Sequence, residues 1–119
     1  MTIEQYLIAY LAAQLGAGTS SAIPVSGSVP HPMPDVFVTV ERTGGSEADR
    51  IPTAQIHVKS WSTSRAGAAA LNEQVTAAML GSVAQAGISR CVLSASYNNP
   101  DLATDRERYS ASFLVTYLL

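Results

Sequence analysis

The chain has 119 residues, enough for one domain with its own hydrophobic core and too few for two. Charged residues make up only 13% of it and hydrophobic residues 47%, so we expect a partner to cover part of the surface. A net charge of −2 argues against a protein that grips phosphate backbones. The longest apolar run, residues 6–13, is too short to span a bilayer, so no membrane span is expected.

The N-terminal segment is predicted to be a helix. Ile3, Leu7 and Leu11 recur at helical spacing, Thr2 and Gln5 match a capping box, and Gly16 is the natural end. The sequence places no basic region before the first apolar residues, so no secretory signal is expected and the chain should fold in a cytoplasm. Residues 16–35 are rich in Gly, Ser and Pro, which predicts an extended connection with at most a short strand at residues 23–25.

Two strands are predicted next. Val36, Val38 and Val40 alternate with Phe37, Thr39 and Glu41, which predicts one buried and one polar face. The alternation returns in Ala54, Ile56 and Val58 against Gln55, His57 and Lys59, and proximity favours antiparallel pairing. Residues 43–50, TGGSEADR, are predicted to be a glycine-rich charged loop, either an ordinary solvated loop or one that becomes ordered on assembly.

A second helix and two more strands complete the predicted elements. Ser62, Thr63 and Ser64 are candidate N-caps for an alanine-rich helix that ends at Gly81 or Gly87. One later strand has Ser89, Cys91, Leu93, Ala95 and Tyr97 on one face, and the last has Tyr109, Ala111, Phe113, Val115, Tyr117 and Leu119. Leu114 and Leu118 lie on the other face of the last strand, so a helix or a neighbouring subunit is expected to cover it. The predicted fold class is α+β: a mainly antiparallel sheet of four to five strands with two helices packed on one face.

No recognised catalytic or metal-binding motif occurs in the sequence. His31 lies between prolines and His57 alternates with polar residues, so both are interpreted as solvated histidines. Cys91 is the only cysteine, which excludes an intramolecular disulfide, and it is interpreted as a small hydrophobic side chain in a strand. The chain is therefore predicted not to be an enzyme, and no cofactor and no metal are expected.

Two further features have a structural and a functional interpretation. Asp101, Asp105 and Glu107 lack the glycine and the terminal glutamate of a calcium loop, which favours a charged hairpin loop over a metal site. Trp61 has no basic patch around it, which favours core packing or an interface anchor over a stacking platform for nucleic acid.

The order and spacing of these pieces resemble a known family. The opening helix, the strand ending VTVERTGG, the strand AQIHVKSWS before an alanine-rich helix, and NNPDLATDRERYSASFLVTYLL are similar to the tail terminator, or tail-completion, proteins of long-tailed bacteriophages and related minor tail proteins. The likeness covers nearly all of residues 1–119, best from residue 36 onward, and least in residues 22–35. It implies a single tail-terminator-like domain.

The resemblance implies a structural virion protein without enzymatic activity. Such proteins form a ring, commonly a hexamer, that caps the tail tube, ends tube polymerisation and presents the head-joining surface. The implied partners are copies of the chain itself, the tail-tube protein and the head–tail connector, with DNA only in transit through the ring. The implied location is the virion tail, and the host cytoplasm during assembly. A net negative charge suits a ring through which DNA slides without binding.

Charged residues in two loops are the candidates for contacts between copies, because charges can set the register between identical subunits. They are Arg42, Glu47, Asp49, Arg50, Asp101, Asp105 and Arg106. Charge reversal at Arg50 is expected to impair ring formation and leave the monomer folded. Three alternatives stay open at this point: another head–tail connector component, a tail-tube subunit, and a small-ligand-binding α+β module.

Overall fold

The computed structural model describes residues 1–16, 22–48 and 51–119. In chain order these residues form α1 (Ile3–Gly16), β1 (Val25–Ser26), β2 (Phe37–Ala48), β3 (Ile51–Ser62), α2 (Arg65–Leu80), a 3₁₀ helix (Gly81–Ala84), β4 (Ile88–Asn98) and β5 (Glu107–Tyr117). The strands form one sheet in the order β1-β2-β3-β5-β4, antiparallel except for the short parallel contact of β1 with β2. The predicted α+β class is confirmed.

Both helices pack on the same face of the sheet. The buried stripe of α1 is Ile3, Leu7, Leu11 and Leu15, and that of α2 includes Leu71, Val75 and Met79. These side chains form one core cluster with the strand residues of the helix-covered face, which are Val38, Val40, Ala54, Ile56, Val58, Ala111, Phe113 and Val115. The opposite face of the sheet, here named the open face, carries neither helix. We find no helix in the described ranges that is long and apolar enough to cross a membrane.

Local sequence signals explain where the helices begin. The Thr2 backbone N–H donates to Gln5 Oε1 at 3.0 Å and the Gln5 N–H donates to Thr2 Oγ1 at 3.1 Å, which is the predicted capping box. Of the three candidate caps for α2, Ser64 is the N-cap, because its hydroxyl accepts from the Gly67 N–H at 3.1 Å. Gly87 has a positive φ of 93°, a conformation that favours glycine, in the turn that leads into β4.

The predicted charged loop between the first two long strands is wrong. β2 continues to Ala48 and pairs with β3 as far as Ile51, with a register shift between Arg42 and Gly44. Glycine and serine have low strand propensity, but pairing with a neighbouring strand outweighs that weak preference, and a glycine pair tolerates a bulge. Only Asp49 and Arg50 separate the two strands, and both lie outside the described residues.

The start of the first long strand also differs from the prediction. β2 begins at Phe37, and Val36 is 39% exposed instead of lying on the buried face. Phe37, expected on the polar face, is fully buried because it stacks on Trp61 of β3. Both faces of the sheet are therefore buried at this end. The short strand expected at residues 23–25 is present as β1, which shares Val25 with it and ends one residue later, at Ser26.

β4 does not follow the single regular alternation that was predicted for it. Register shifts occur between Ile88 and Arg90 and between Leu93 and Ala95. Leu93 pairs with the core residue Phe113, whereas Tyr97 pairs with Ser110 of the open face, so the two ends of β4 turn different residues toward the helices. β5 lies between β3 and β4, which makes it a central strand and leaves β4 at the edge.

Candidate assembly surface

The side chains of β4 are far more exposed than those of an ordinary core strand. Only Ile88 is buried and only Cys91 is half-buried among its eleven residues. Val92 and Leu93 are each 36% exposed and Tyr97 is 48% exposed, on both faces of the strand. β5 pairs with β4 along one side, and no strand of the described ranges pairs with the other side. An unpaired strand edge with apolar side chains is a surface on which another strand can pack.

The open face next to this edge is a shallow mixed surface. Leu114 of β5 is 43% exposed, so neither helix covers this face, and its coverage by a neighbouring subunit stays a prediction. With Val92, Arg90 and the threonines Thr53 and Thr116, Leu114 lines a depression of about 270 Å³. A depression of this kind offers contact area and hydrogen-bonding groups to a flat protein surface, which is how subunit contacts are built.

The candidate interface residues that the structure describes are spread along the sheet, and the other two, Asp49 and Arg50, lie outside the described residues. Glu47 is exposed near the end where β2 turns into β3, whereas Arg42 is exposed in the middle of β2, where it pairs with Ile56. Asp101, Asp105 and Arg106 lie in the β4–β5 connection, beyond the end where Ser62 pairs with Glu107. On β3, the partner of Arg42 is Ile56 and that of Glu47 is Pro52, which lie about 20 Å and about 33 Å from Ser62 at roughly 3.3 Å per residue. The two groups therefore form no common patch on one subunit, and their role in subunit contacts stays a prediction.

Arg42 is held by groups of its own chain. Its backbone N–H donates to Glu4 Oε2 of α1 at 3.0 Å. Its side-chain Nε donates to the Gly44 carbonyl at 3.2 Å, and Nη1 donates to the Tyr117 hydroxyl at 3.4 Å. The guanidinium thus joins the bulge of β2 to the end of β5.

Arg106 fixes the proline-rich segment before β2. Its Nη1 donates to the carbonyls of Pro34 at 2.8 Å and Asp35 at 3.1 Å, and its Nη2 donates to the carbonyl of Met33 at 3.4 Å. Its backbone forms a bridge with Asp101, next to Asp105, which has a positive φ of 55°. Aspartate tolerates this left-handed conformation better than most residues. The β4–β5 connection is thus an ordered turn held by defined contacts.

An aromatic cluster fills the same end of the open face. The rings of Phe37 and Trp61 stack with centroids 5.0 Å apart, and Trp61 Nε1 donates to Thr39 Oγ1 at 3.2 Å. The Arg108 guanidinium lies 4.8 Å from the Trp61 ring centroid, and its Nε donates to the Asn99 carbonyl at 2.8 Å. Core packing of Trp61 is confirmed. Sequence reasoning missed Phe37, although its place opposite Trp61 on a paired strand favours an aromatic cross-strand pair.

The titratable groups with clear shifts are held in their neutral forms. Burial raises the pKa of the Cys91 thiol, and the nearby Ser82 hydroxyl opposes this effect in part. Burial also raises the pKa of Tyr10, whose hydroxyl donates to the Ala78 carbonyl at 2.7 Å. Both groups stay protonated at neutral pH. Within residues 1–16, 22–48 and 51–119, no three His, Cys, Asp or Glu side chains lie together in a way that could hold a metal ion.

Comparisons with known proteins identify the fold. No protein-family model matches the chain, and no curated protein matches it either. Among solved structures, it is similar to a chain described as the virion of a native gene transfer agent (GTA) particle. The TM-score is 0.67 at 18% sequence identity, and the match covers 92% of this chain and 84% of the other. The two chains share a fold along nearly their whole length.

Proposed function

We propose that this protein is a structural component of a phage-like virion, and more specifically a tail terminator. In this role copies of the chain form a ring, hexameric in the resembled family, that caps the tail tube, ends its polymerisation and carries the head-joining surface. The observation that carries the proposal is the fold shared with a virion chain over 92% of the sequence. The order of helices and strands from residue 36 onward points to the same family.

The surface of the subunit supports a protein that acts through contacts with other proteins. β4 presents an unpaired edge with exposed Val92 and Leu93, and the adjacent open face presents Leu114. A ring forms when a contact joins two different surfaces of the subunit and the rotation closes. In this subunit the two edges of the sheet differ from each other, and so do its two ends, so two different surfaces are available for such a contact.

Electron microscopy of the purified protein, alone and mixed with tail-tube protein, tests the proposal. A terminator is expected to form rings, or to stay unassembled until it meets the tube, and to be found at one end of tubes whose length it limits. Long cylinders formed by this chain alone would contradict termination and identify a tail-tube subunit. Rings that bind a connector but ignore tube ends would identify another head–tail component.

A thermal-shift screen against common metabolites tests the remaining class of function. A virion structural protein is expected to show no reproducible stabilisation by any small ligand, whereas a binding module gains stability in proportion to ligand occupancy. Stabilisation by one metabolite that saturates with concentration would contradict the proposal.

A further inference from the structure

The free edge of β4 exposes a defined set of backbone groups. The Asn99 N–H donates to the Arg108 carbonyl at 2.8 Å, which fixes the phase of the β4–β5 ladder. Every second residue of β4, counted back from Asn99, turns its backbone groups toward β5. The register shift between Leu93 and Ala95 moves this alternation by one residue, so that Val92 turns toward β5 on the other side of the shift. Cys91 and Leu93 therefore turn their N–H and C=O groups outward, away from β5. These outward N–H and C=O groups have the spacing needed to hydrogen-bond to the backbone of another extended strand.

The opposite edge of the sheet is open only in its second half. The Val38 N–H donates to the Pro24 carbonyl at 2.9 Å, so β1 covers the beginning of β2. The Arg42 N–H is taken by Glu4 Oε2. The register shift that follows changes the phase, so Gly45 and Glu47 turn their backbone groups outward. No strand of the described residues pairs with this side of residues 44–48.

The directions of the strands decide how two such edges meet. β2, β3, β5 and β4 alternate in direction across the sheet, and their number is even. When a second copy is related to the first by rotation about an axis along the strands, its β2 runs antiparallel to β4 of the first copy. A contact between two β4 strands is also antiparallel, but it is two-fold symmetric and ends with a dimer.

The register of the sheet also matches at this junction. The pairings place Gly44 on the same level as Val92, through Gln55 and Leu114, and Gly45 on the same level as Cys91. An unstaggered second copy therefore sets the outward groups of its Gly45 opposite those of Cys91. Gly44 then faces Val92 as a close pair without hydrogen bonds, and no side chain on Gly44 hinders the approach.

From this match we propose that the β4 edge pairs with residues 44–48 of β2 from a second copy, so that one antiparallel sheet continues from subunit to subunit. The inference rests on the proposed ring, because only a head-to-tail contact can propagate around one. It explains why a strand of eleven residues keeps Val92 and Leu93 exposed in the single chain.

Disulfide cross-linking of the full chain tests the pairing. In a Cys91→Ser background, Gly44→Cys and Val92→Cys are combined in one chain, mixed with tail-tube protein and oxidised. A side chain at position 44 is compatible with the fold, since an added Cβ would meet only Gln55 Oε1, at 3.6 Å. Facing residues in such pairs have Cβ atoms about 4.5–5.5 Å apart, close to disulfide range after a small adjustment. We expect a ladder of covalent oligomers that ends at the closed ring.

The single variants and a second pair serve as controls. Gly44→Cys alone and Val92→Cys alone are expected to stay uncross-linked, and a mixture of the two is expected to stop at dimers. Ser46→Cys with Arg90→Cys, two residues along the same strands, repeats the test if the first pair fails to fold. The same ladder is expected from it.

The outcomes separate the inference from the proposed function. Covalent dimers from Val92→Cys alone would show a two-fold contact between β4 strands and overturn the inference. Rings seen by electron microscopy that carry both cysteine pairs without cross-linking would overturn the strand pairing and leave the terminator role standing. Wild-type protein that forms no ring with tail-tube protein present would overturn the proposed function and the inference together.

Discussion

β5 and β4 are neighbouring strands of eleven residues each, paired with each other along most of their length, yet they differ in what covers them. β5 has a strand on either side and buries Ala111, Phe113 and Val115 under the helices. β4 lies at the margin of that cover and buries only Ile88. A strand completed by its own chain stabilises the fold, whereas a strand at the edge presents backbone groups with which another strand can pair.

Truncation of Phe113 is expected to have the largest effect on stability. Phe113→Ala removes a fully buried side chain from β5, and substitutions of this kind cost about 3–5 kcal/mol because they leave a cavity. Leu93→Ala, on the paired position of β4, is expected to cost less than about 1 kcal/mol. Chemical denaturation of the unassembled chain measures both. Equal losses at the two positions would contradict the contrast between the strands.

Removal of the Arg106 guanidinium is expected to have a smaller effect. Arg106→Met deletes three hydrogen bonds to backbone carbonyls and should lower the free energy of unfolding by about 1–3 kcal/mol. Arg65→Met, at an exposed position in α2, is the matched control and should change it by less than about 0.5 kcal/mol. If Arg106→Met has the wild-type free energy of unfolding but fails to assemble, Arg106 would be assigned to the subunit contact instead.

A charge placed on the β4 edge should separate assembly from folding. Leu93→Lys adds a charge to the unpaired edge, which opposes strand pairing, and should weaken assembly by about tenfold or more. The unfolding free energy of the monomer should change by less than about 0.5 kcal/mol, because Leu93 is already 36% exposed. Leu102→Lys, at an 89% exposed position of the β4–β5 connection, is the control. Sedimentation velocity would refute the role of the edge if both variants assembled equally well.

The smallest effect is expected from the ionisation of Cys91. Its pKa is raised by burial, so the folded chain holds the thiol proton at pH values where the unfolded chain has lost it. This contribution is fully present below the unfolded thiol pKa of about 8.5 and is lost as the pH rises through the raised folded value. Denaturation between pH 7 and 10 should show wild type losing stability relative to Cys91→Ser, by at most about 1.4 kcal/mol per pH unit. An unchanged difference would contradict the burial of the thiol.

Local patterns predicted the elements better than their arrangement. The capping box at Thr2, the N-cap at Ser64 and the alternation through Phe113 each depend on residues close in sequence, and the structure confirms them. The edge position of β4 depends on which distant strands pair, and no local signal specifies that. The bulge after Leu93 shifts the side-chain phase by one residue, so the regular alternation predicted for β4 assigned Ala95 and Tyr97 to the wrong face.

The candidate site was less accessible to sequence reasoning than the fold. Charge and loop composition grouped Arg42 with Arg106, but residues from two loops share a surface only if the strands between them bring the loops to one end of the sheet. The structure instead places Arg42 in the middle of β2, where it pairs with Ile56, and Arg106 in the β4–β5 connection. The sequence pattern did not indicate that β4 is an edge strand, because the position of a strand in the sheet depends on which strands pair with it and not on its own residues.

Native mass spectrometry of the wild-type chain, at several concentrations and with tail-tube protein added, tests the central claim most directly. A ring closed by head-to-tail contacts predicts one discrete oligomer that does not grow as the concentration rises. A series of ever larger species, or a chain that stays monomeric even on the tube, would contradict it.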